Sequence, residues 1–442
     1  MDSKMKIAYF SPVNPIKSGI SDFSEELLPY LGKYLDIDLF TDCQKPSNHL
    51  IKKHFKVFHI NKYHNETVRR KYDLAVFHIG NNYEVHKDIA GMFFQYGGIL
   101  ELHDVSLHHY VASETLATDE RCDYVEIMEY CHGFKGRTIA KEFLKGEIKE
   151  PWENDSLNFT VSKHFLDRAD AVIVHSDFAK QMVRAVTSKK PTICIPLHTA
   201  DFAENYNNYK AECRKQLNIE SDYFVFGSFG YANYSKRVLQ VLDALALYKK
   251  QNKKFRCYIV GNVQGVDITD KTRELGLNDE VVITGFIPLE DFKLYMGSCD
   301  VCFNLRYPTC GESSASLHRM LGLGKPVIVT DIGSFQEYPD DIVKRVRYDD
   351  HEVEDIYHAI CALTKSREEM DATSRRALFY AKKHFNLESN AQKYQKFFKD
   401  IQTGMYREEW VDALLDKIFE LKLTGQAYIN HLSEKIIWPN IE

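Results

Sequence analysis

The sequence predicts an α/β protein built from two doubly wound parallel-sheet domains in tandem, followed by a helical segment. Three observations predict it: the length of 442 residues, the alternation of apolar strands with amphipathic helices, and a polar break near the middle. A chain of this length exceeds what one hydrophobic core normally supports, so two domains are expected. Strands that alternate with helices are typical of parallel sheets with right-handed crossovers.

The same rhythm of elements occurs in both halves of the chain. Strands are predicted in the first half at 5–10, 36–40, 73–78, 98–102, 171–174 and 192–195, with a helix over 21–33. The second half has predicted strands at 223–229, 255–260, 280–284, 299–304, 326–330 and 343–347, and helices at 236–250, 289–297, 313–323 and 352–365. The polar stretch 197–222 separates the halves.

This pattern divides the chain into three parts. We expect Rossmann-like domains at 1–200 and 201–385, whose facing edges enclose a cleft. Residues 386–442 have a helical pattern, and we expect these C-terminal helices to pack in part on the first domain.

The composition is that of an ordinary soluble protein, with 44% hydrophobic and 27% charged residues. The net charge of −6 gives no general reason to expect a nucleic-acid partner. The run MKIAYFSP has no signal-peptide layout, and no apolar stretch approaches the roughly 18 residues of a membrane span. We therefore expect a cytoplasmic protein, in which the ten cysteines stay reduced. Cys299 and Cys302 form a C-x-x-C without a second ligand pair, which favours structural thiols over a metal site.

Residues 44–71 depart from the mean charge. They contain eight basic residues against the single acid Glu66. The basic residues are Lys45, Lys52, Lys53, Lys56, Lys62, Arg69, Arg70 and Lys71. A solvated surface explains such a run, and so does a peripheral contact with an anionic membrane at the inner face of the cell membrane.

The stretch YPTCGESSASLHRMLGLGKPVIVTD contains the most informative helix start. Four small residues, 313–316, open a predicted helix, which lets a ligand approach the bare backbone. The free N–H groups and the helix dipole favour an anion there. A serine cap on an ordinary helix explains the same residues.

Polar or small residues also follow the predicted strands, at the edge where doubly wound sheets bind ligands. They are Gly19, His78, Asn81, Asn82, His103, Asp104, Gly230 and Lys236. Lys236 opens a predicted helix, where its charge opposes the dipole and therefore favours a bound anion. Together with 313–316 in the same domain, Lys236 suits a diphosphate. Glu312 would repel that diphosphate, so we expect its side chain to face the hydroxyls of a sugar.

An ordered set of motifs resembles the GT-B glycosyltransferases, specifically the retaining group called family four, within the glycosyl transferases group 1. The resemblance covers about residues 5–400 and rests on SGISDFSEELLPYL, LHDVSLHHY, VIVHSDFA, FGSFGYANYSKR, VITGFI and NLRYPTCGESSASLHRMLGLGKPVIVTDIGSFQE. It implies that the second domain binds a nucleotide-sugar donor and the first domain binds the acceptor. It also implies that Lys236 contacts the donor diphosphate and that the backbone at 313–316 cradles it. Gly19 would lie against the diphosphate from the other domain, and His103 would approach the transferring sugar.

The sequence departs from the family pattern at two places. The usual motif has two glutamates eight positions apart; here those positions are Gly311 and Arg319, with Glu312 one step along. The arginine that commonly partners the phosphate-binding lysine is Tyr231. Arg306 or Arg319 is expected to supply the missing cation.

The sequence therefore predicts a retaining transfer of a hexose from a nucleoside-diphosphate sugar to a glycan or lipid-linked acceptor. The hexose would be mannose, glucose, galactose or an N-acetylhexosamine, in bacterial surface polysaccharide or glycoconjugate synthesis. No metal or other cofactor is expected. Predicted catalytic residues are His103, Lys236 and Glu312; donor-binding residues are Gly19, Gly230, Tyr231, Lys236, Arg306, Glu312, Ser313, Ser314, Ala315, Ser316 and Arg319; acceptor-binding residues are His78, Asn81, Asn82 and Asp104. The alternative, suggested by Tyr231 and Arg319, is a catalytically inactive nucleotide-sugar-binding partner of another glycosyltransferase.

Overall fold

The computed structural model describes residues 4–43, 45–117, 121–251 and 253–406. Two parallel sheets form its framework. The seven strands of the first sheet are β1 (Lys6–Phe10), β2 (Asp36–Thr41), β3 (Lys56–His59), β4 (Leu74–Ile79), β5 (Gly98–Leu102), β6 (Ala169–Val174) and β7 (Thr192–Cys194). Their order across the sheet is β3-β2-β1-β4-β5-β6-β7, and every pair is parallel.

The second sheet has six strands: β8 (Phe224–Phe229), β9 (Phe255–Val260), β10 (Val281–Gly285), β11 (Val301–Asn304), β12 (Val327–Thr330) and β13 (Val343–Val346). Their order is β10-β9-β8-β11-β12-β13, again parallel throughout. Both sheets reverse their strand order beside the first strand, which is the doubly wound arrangement. The predicted fold class is confirmed.

Helices connect the strands. In the first half they are α1 (Gly19–Leu31), α2 (His49–His54), α3 (Glu66–Arg69), α4 (Tyr83–Tyr96), α5 (His108–Leu116), α6 (Arg121–Leu144), α7 (Pro151–Asn154), α8 (Lys163–Leu166) and α9 (Asp177–Val186). They continue with α10 (Tyr206–Gln216), α11 (Val238–Lys249), α12 (Ile268–Glu274), α13 (Leu289–Ser298), α14 (Ala315–Gly322), α15 (Glu352–Thr364), α16 (Arg367–His384) and α17 (Leu387–Gln402). Short 3₁₀ turns occur at Ile60–His64, Tyr234–Lys236 and Gly333–Glu337.

Each sheet is buried on both faces, which explains why its strands read as nearly continuous apolar runs. In β1, Ala8 and Phe10 pack into one core cluster while Ile7 and Tyr9 pack into another on the opposite face. Within the described residues, no helix is both long and apolar enough to cross a membrane. The ten cysteines are all unpaired.

Strand β3 was not predicted from the sequence. It lies at the edge of the first sheet and pairs only with β2, from Asp38↔Lys56 to Thr41↔His59. Edge strands are often short and charged, because charge there discourages pairing with other chains. The basic segment 44–71 thus contains regular structure, namely α2, β3, a 3₁₀ turn and α3.

The last described helix, α17, returns to the first domain after the second domain is complete. Its residues Leu387, Tyr394 and Phe397 share a core cluster with β1 and α1. Up to residue 406 the described chain thus crosses between the domains twice, and the two crossings touch, since the Thr199 N–H donates to the Phe385 carbonyl at 3.2 Å. The rest of the predicted helical tail, 407–442, lies outside the described residues.

Candidate active site

A cavity of about 600 Å³ lies between the two domains. The first domain lines it with the loop before α1 and with α1 itself, including Gly19, Phe23 and Glu26. The second domain lines it with the ends of β8 and β9, the start of α13 and the start of α14. Among the predicted donor-binding residues, those that line the cavity are Gly19, Gly230, Tyr231, Ala315, Ser316 and Arg319.

Helix α14 begins at Ala315, so the small residues do stand at a helix start. The Ser314 hydroxyl accepts a hydrogen bond from the Leu317 N–H at 3.3 Å and caps the helix. Capping and anion binding are compatible here, because a cap satisfies one N–H and leaves others of the first turn available. The Ser313 hydroxyl donates to the His175 carbonyl of the first domain at 3.1 Å.

Lys236 is the last residue of a 3₁₀ turn, two residues before α11 rather than inside its first turn. Its ammonium is buried and lies 3.4 Å from the Phe229 carbonyl oxygen. No described carboxylate forms an ion pair with it. Burial and the nearby Arg306 lower the pKa of Lys236 well below its ordinary value, while the Glu312 carboxylate opposes the shift. A buried amine of this kind gains strongly from an incoming anion.

Gly19 and Gly230 line the cavity, and Gly230 lies next to Lys236. Gly230 directly follows β8 and has a φ of 102°, and a side chain there would begin 3.7 Å from the Lys236 Nζ. Gly19, the first residue of α1, has open space where a Cβ would stand. Both positions therefore let a ligand approach the backbone closely.

The Glu312 carboxylate has partners within its own loop, and its expected role at a sugar stays a prediction. One carboxylate oxygen lies 2.6 Å from the Arg306 Nε. The other accepts from the Thr309 hydroxyl at 2.8 Å and from the Cys310 N–H at 2.7 Å. Arg306 and Glu312 therefore neutralise each other within one loop. The sequence assigned the first to the donor phosphate and the second to the sugar.

Arg319 is also paired with carboxylates through its guanidinium. It forms ion pairs with Glu26 of α1 and with Asp201, which in turn pairs with Lys293 at 2.9 Å. Its guanidinium therefore ties the second domain to the first. Two carboxylates balance the charge of Arg319, and its expected role as a phosphate-binding cation stays a prediction.

His78 is fully buried, so it is not an acceptor-binding surface residue. Strand β4 extends to Ile79, which places His78 inside the strand rather than after it. Its Nδ1 lies 3.1 Å from His103 Nε2, and its Nε2 lies 3.3 Å from a Glu101 oxygen. His103 itself follows β5 and is partly exposed.

The other predicted acceptor residues separate into two groups. Asn82 is exposed and caps α4 by accepting from the Val85 N–H at 3.3 Å. Asn81 and Asp104 lie together, since the Asn81 N–H donates to Asp104 at 2.8 Å. Burial first, and then the Glu312 carboxylate, raise the pKa of Asp104 to about 6.

The loop 307–313 of the second domain docks on this part of the first domain. The Ser106 N–H donates to the Cys310 carbonyl at 2.8 Å, and the Ser156 hydroxyl donates to the Thr309 carbonyl at 2.5 Å. The Asn81 side-chain amide contacts Cys310 Sγ at 3.2 Å. Asp104, Asn81 and Glu312 are therefore brought together across the domain boundary.

The second domain matches a known family. Residues 210–378 match the glycosyl transferases group 1. A search of curated protein sequences gave no significant match. The group 1 segment contains all six strands of the second sheet, Lys236 and the start of α14.

Solved structures resemble the whole chain. Sucrose-phosphate synthase from Thermosynechococcus elongatus has a TM-score of 0.64 and 17% identity, with 91% of this chain and 100% of that chain covered. HepE from Anabaena, in complex with UDP and glucose, has a TM-score of 0.60 and 16% identity, covering 89% and 99%. WaaG, a glycosyltransferase involved in lipopolysaccharide biosynthesis, has a TM-score of 0.59 and 13% identity, covering 90% and 100%. At these identities the likeness shows the fold, and that fold is GT-B.

Several residues with contacts in or near the cleft were not predicted from the sequence. Glu101 was detectable in principle, because a charged residue inside the apolar strand β5 must find buried partners. Glu26 sits on a helix with other acids, so nothing local marks it as the partner of Arg319. Cys310 and Tyr394 act through contacts between distant parts of the chain, which a single sequence does not reveal.

Proposed function

We propose that this chain is a retaining glycosyltransferase that moves a hexose from a nucleoside-diphosphate sugar to a hydroxyl of a glycan or lipid-linked acceptor. The observation that carries the proposal is the buried Lys236 ammonium, which has no described carboxylate partner and lies beside the interdomain cavity. The start of α14 lines that same cavity. A cation and a helix N-terminus in one cleft together suit a diphosphate.

The proposed reaction needs no protein nucleophile. The bond between the anomeric carbon and the diphosphate breaks, and the bond to the acceptor oxygen forms on the same face of the sugar. The departing diphosphate takes the acceptor's proton. Lys236 and the first N–H groups of α14 stabilise the charge that develops on the leaving group, so the step requires no metal.

The binding residues follow from this arrangement. Gly19, Gly230, Tyr231 and the backbone of 313–316 are the proposed donor contacts. His103 is proposed to approach the sugar, and Asn81 with Asp104 the acceptor. Arg306 and Glu312 form a neutral pair near Lys236, and Arg319 holds Glu26 at the cavity wall.

Names of the similar structures support the substrate class and the setting. HepE was solved with UDP-glucose, and WaaG is a glycosyltransferase of lipopolysaccharide biosynthesis. We propose a nucleotide hexose as donor and a surface polysaccharide or glycoconjugate as product. The enzyme would act in the cytoplasm, docked on the anionic inner face of the membrane through the basic segment 44–71.

One observation favours the alternative, a nucleotide-sugar-binding subunit without activity of its own. The ion pairs of Glu312 with Arg306 and of Arg319 with Glu26 occupy charged groups that would otherwise be available to a sugar donor. This subunit would bind a nucleotide sugar and leave it intact.

A single experiment separates the two functions. The purified chain is incubated with a panel of nucleoside-diphosphate hexoses, and binding and hydrolysis are followed by calorimetry and mass spectrometry. Slow release of one hexose without a partner protein supports the transferase. Tight binding without hydrolysis supports the inactive subunit, and the absence of binding to every nucleotide sugar would overturn both.

A further inference from the structure

Four side chains form a continuous buried chain from α17 to the edge of the cleft. The Tyr394 hydroxyl donates to one oxygen of Glu101 at 2.5 Å. The other Glu101 oxygen lies 3.3 Å from His78 Nε2, and His78 Nδ1 lies 3.1 Å from His103 Nε2. His103 Nδ1 is the ring nitrogen left for a ligand.

The inner links of this chain have no competing partners among the described residues. Glu101 and His78 are 0% exposed and Tyr394 is 1% exposed. The Glu101 oxygen and the His78 Nε2 that face each other are otherwise without hydrogen-bond partners. Buried polar atoms are nearly always paired, so these two atoms satisfy each other.

The neighbouring histidines have their protons fixed by backbone carbonyls. His175 Nδ1 lies 2.9 Å from the Ile195 carbonyl, and His86 Nδ1 lies 3.1 Å from the His78 carbonyl. A carbonyl only accepts, so both rings carry their proton on Nδ1. His175 then presents an unprotonated Nε2 to Glu101, at 3.7 Å.

Other groups around the chain are aromatic or neutral. The Tyr9 ring packs on His78 with centroids 4.4 Å apart, and Phe23 packs against His103 at 5.2 Å. His198 stacks on the other side of Phe23 at 4.5 Å. The protonation state of Glu101 therefore decides which atom donates in the hydrogen bonds that link Glu101, His78 and His103.

The direction follows from the donors and acceptors at each atom. A protonated Glu101 donates to His78 Nε2, so His78 carries its proton on Nδ1 and donates to His103 Nε2. His103 must then carry its own proton on Nδ1. An ionised Glu101 still accepts from Tyr394, but it reverses the links to His78 and from His78 to His103, and this leaves His103 Nδ1 as an acceptor.

We propose that Tyr394, Glu101 and His78 are positioning residues that set which ring nitrogen of His103 is protonated, so that His103 offers an N–H donor to its ligand near neutral pH. The role in transfer rests on the proposed function, whereas the proton arrangement itself does not. Burial supports the neutral-pH state, because it raises the pKa of Glu101 to about 8. The donated hydrogen bond would select a ligand oxygen that accepts, such as a sugar hydroxyl or ring oxygen.

The test is ¹⁵N spectroscopy of the histidine rings in the full chain, below and above pH 8. The His103 signals are assigned by their loss in His103→Gln. In the wild type we expect the His103 proton on Nδ1 at the lower pH and on Nε2 at the higher pH. A proton on Nε2 at both pH values would overturn the proposal.

Glu101→Gln is the decisive variant, because its amide has the same shape as the acid. When the amide oxygen keeps the bond that the Tyr394 hydroxyl donates to the carboxylate, the amide NH₂ faces His78 and imitates the protonated acid. We expect His103 to keep its proton on Nδ1 at both pH values. A pH-dependent change in Glu101→Gln like that of the wild type would overturn the proposal.

Tyr124→Phe is the matched control, since Tyr124 is also a buried tyrosine whose hydroxyl contacts a histidine, His108, at 2.8 Å. It should leave the His103 signals unchanged. Elemental analysis of the purified chain covers the other chemistry of this group, because donor atoms of His78, Glu101 and His103 lie within 4.8 Å of one another. One equivalent of bound zinc would replace the hydrogen-bonded chain with a metal site and overturn the proposal.

These measurements remain valid whether or not the chain is a transferase. If the proposed function holds, Glu101→Gln should keep kcat close to wild type, while Glu101→Leu should lower kcat more than it changes KM. If the chain has no transferase activity, the ring-nitrogen signals alone decide the proposal.

Discussion

At the scale of single residues, Lys236 carries the proposed diphosphate site. Lys236→Ala should lower turnover about a hundredfold, on the order of 3 kcal/mol for one lost charge-stabilising donor. The melting temperature should stay the same or rise, because a buried amine without a carboxylate partner contributes little to folding. Enzyme kinetics and calorimetry on the same preparation measure both effects.

Lys249→Ala is the control for Lys236. It removes a lysine from the same α11 region, where Lys249 pairs with Glu280 at 2.7 Å and its side chain is 42% exposed. Turnover should stay at the wild-type level. Wild-type turnover in Lys236→Ala as well would remove Lys236 from the diphosphate site.

A variant of Glu312 distinguishes the sugar contact expected from the sequence from the ion pair with Arg306 in the structure. Glu312→Gln keeps a hydrogen-bond acceptor for Thr309 and Cys310 but loses the charge that balances Arg306. The free energy of unfolding should fall by about 1 kcal/mol. Affinity for the nucleoside diphosphate should rise, because Arg306 becomes an unbalanced cation near Lys236.

A different result would restore the expected role of Glu312 at the sugar. In that case turnover would drop tenfold or more, roughly 1.4 kcal/mol or above, and the melting temperature would hardly change. Glu290→Gln serves as the control, since Glu290 is an exposed carboxylate that pairs with Lys293 at 3.3 Å. It should affect neither stability nor affinity.

At the scale of elements, the basic segment 44–71 presents exposed charge at the edge of the first sheet. Lys52 and Lys53 are exposed near the end of α2, beside Leu50, whose side chain is 56% exposed. If this segment docks on a membrane, binding should require anionic lipid and weaken as the salt concentration rises. Co-sedimentation with anionic and neutral vesicles measures it.

The double variant Lys52→Ala with Lys53→Ala should weaken this binding about tenfold or more, at roughly 1 kcal/mol per basic residue. Lys382→Ala with Lys383→Ala is the matched control, because it removes two adjacent exposed lysines from the end of α16. Equal loss in both variants, or equal binding to neutral vesicles, would leave the segment as a solvated surface.

The elements also show which strands can be predicted from the sequence and which cannot. Buried parallel strands such as β5 and β9 were predicted at their observed bounds, because both faces are covered and their residues form apolar runs. Strand β3 gives no such signal, since its four residues include Lys56 and His59, and since β2 is its one neighbour among the described strands. His78 shows the same limit within the site, because it stands at the predicted end of its strand, whereas the observed β4 continues to Ile79 and His78 is buried.

At the scale of the whole molecule, Arg319 joins the two domains through Glu26 and Asp201. Arg319→Ala would leave the partly buried Glu26 without its arginine partner, while Asp201 would keep only Lys293, and this should destabilise the chain by about 3 kcal/mol or more. The domains should also separate more readily when no nucleotide is bound. Small-angle scattering should then show a larger radius of gyration, which decreases when a nucleoside diphosphate is added.

Arg345→Ala is the control, because Arg345 pairs with Asp331 and Asp340 within the second domain. It should leave the radius of gyration unchanged. Glu26→Gln removes only one partner and should give a smaller expansion in the same direction. Identical scattering from Arg319→Ala and the wild type would show that this ion pair does not hold the domains together.

The double crossing of the chain between the domains has a mechanical consequence. A single connecting strand would act as a swivel and let one domain spin relative to the other. Two adjacent connecting segments, joined by the hydrogen bond from the Thr199 N–H to the Phe385 carbonyl, instead define a single hinge axis. Rotation about that axis would open the cleft, whereas a rotation about any other axis would break the hydrogen bond. We therefore expect the domains to open and close along one path that returns α14 and α1 to the same alignment.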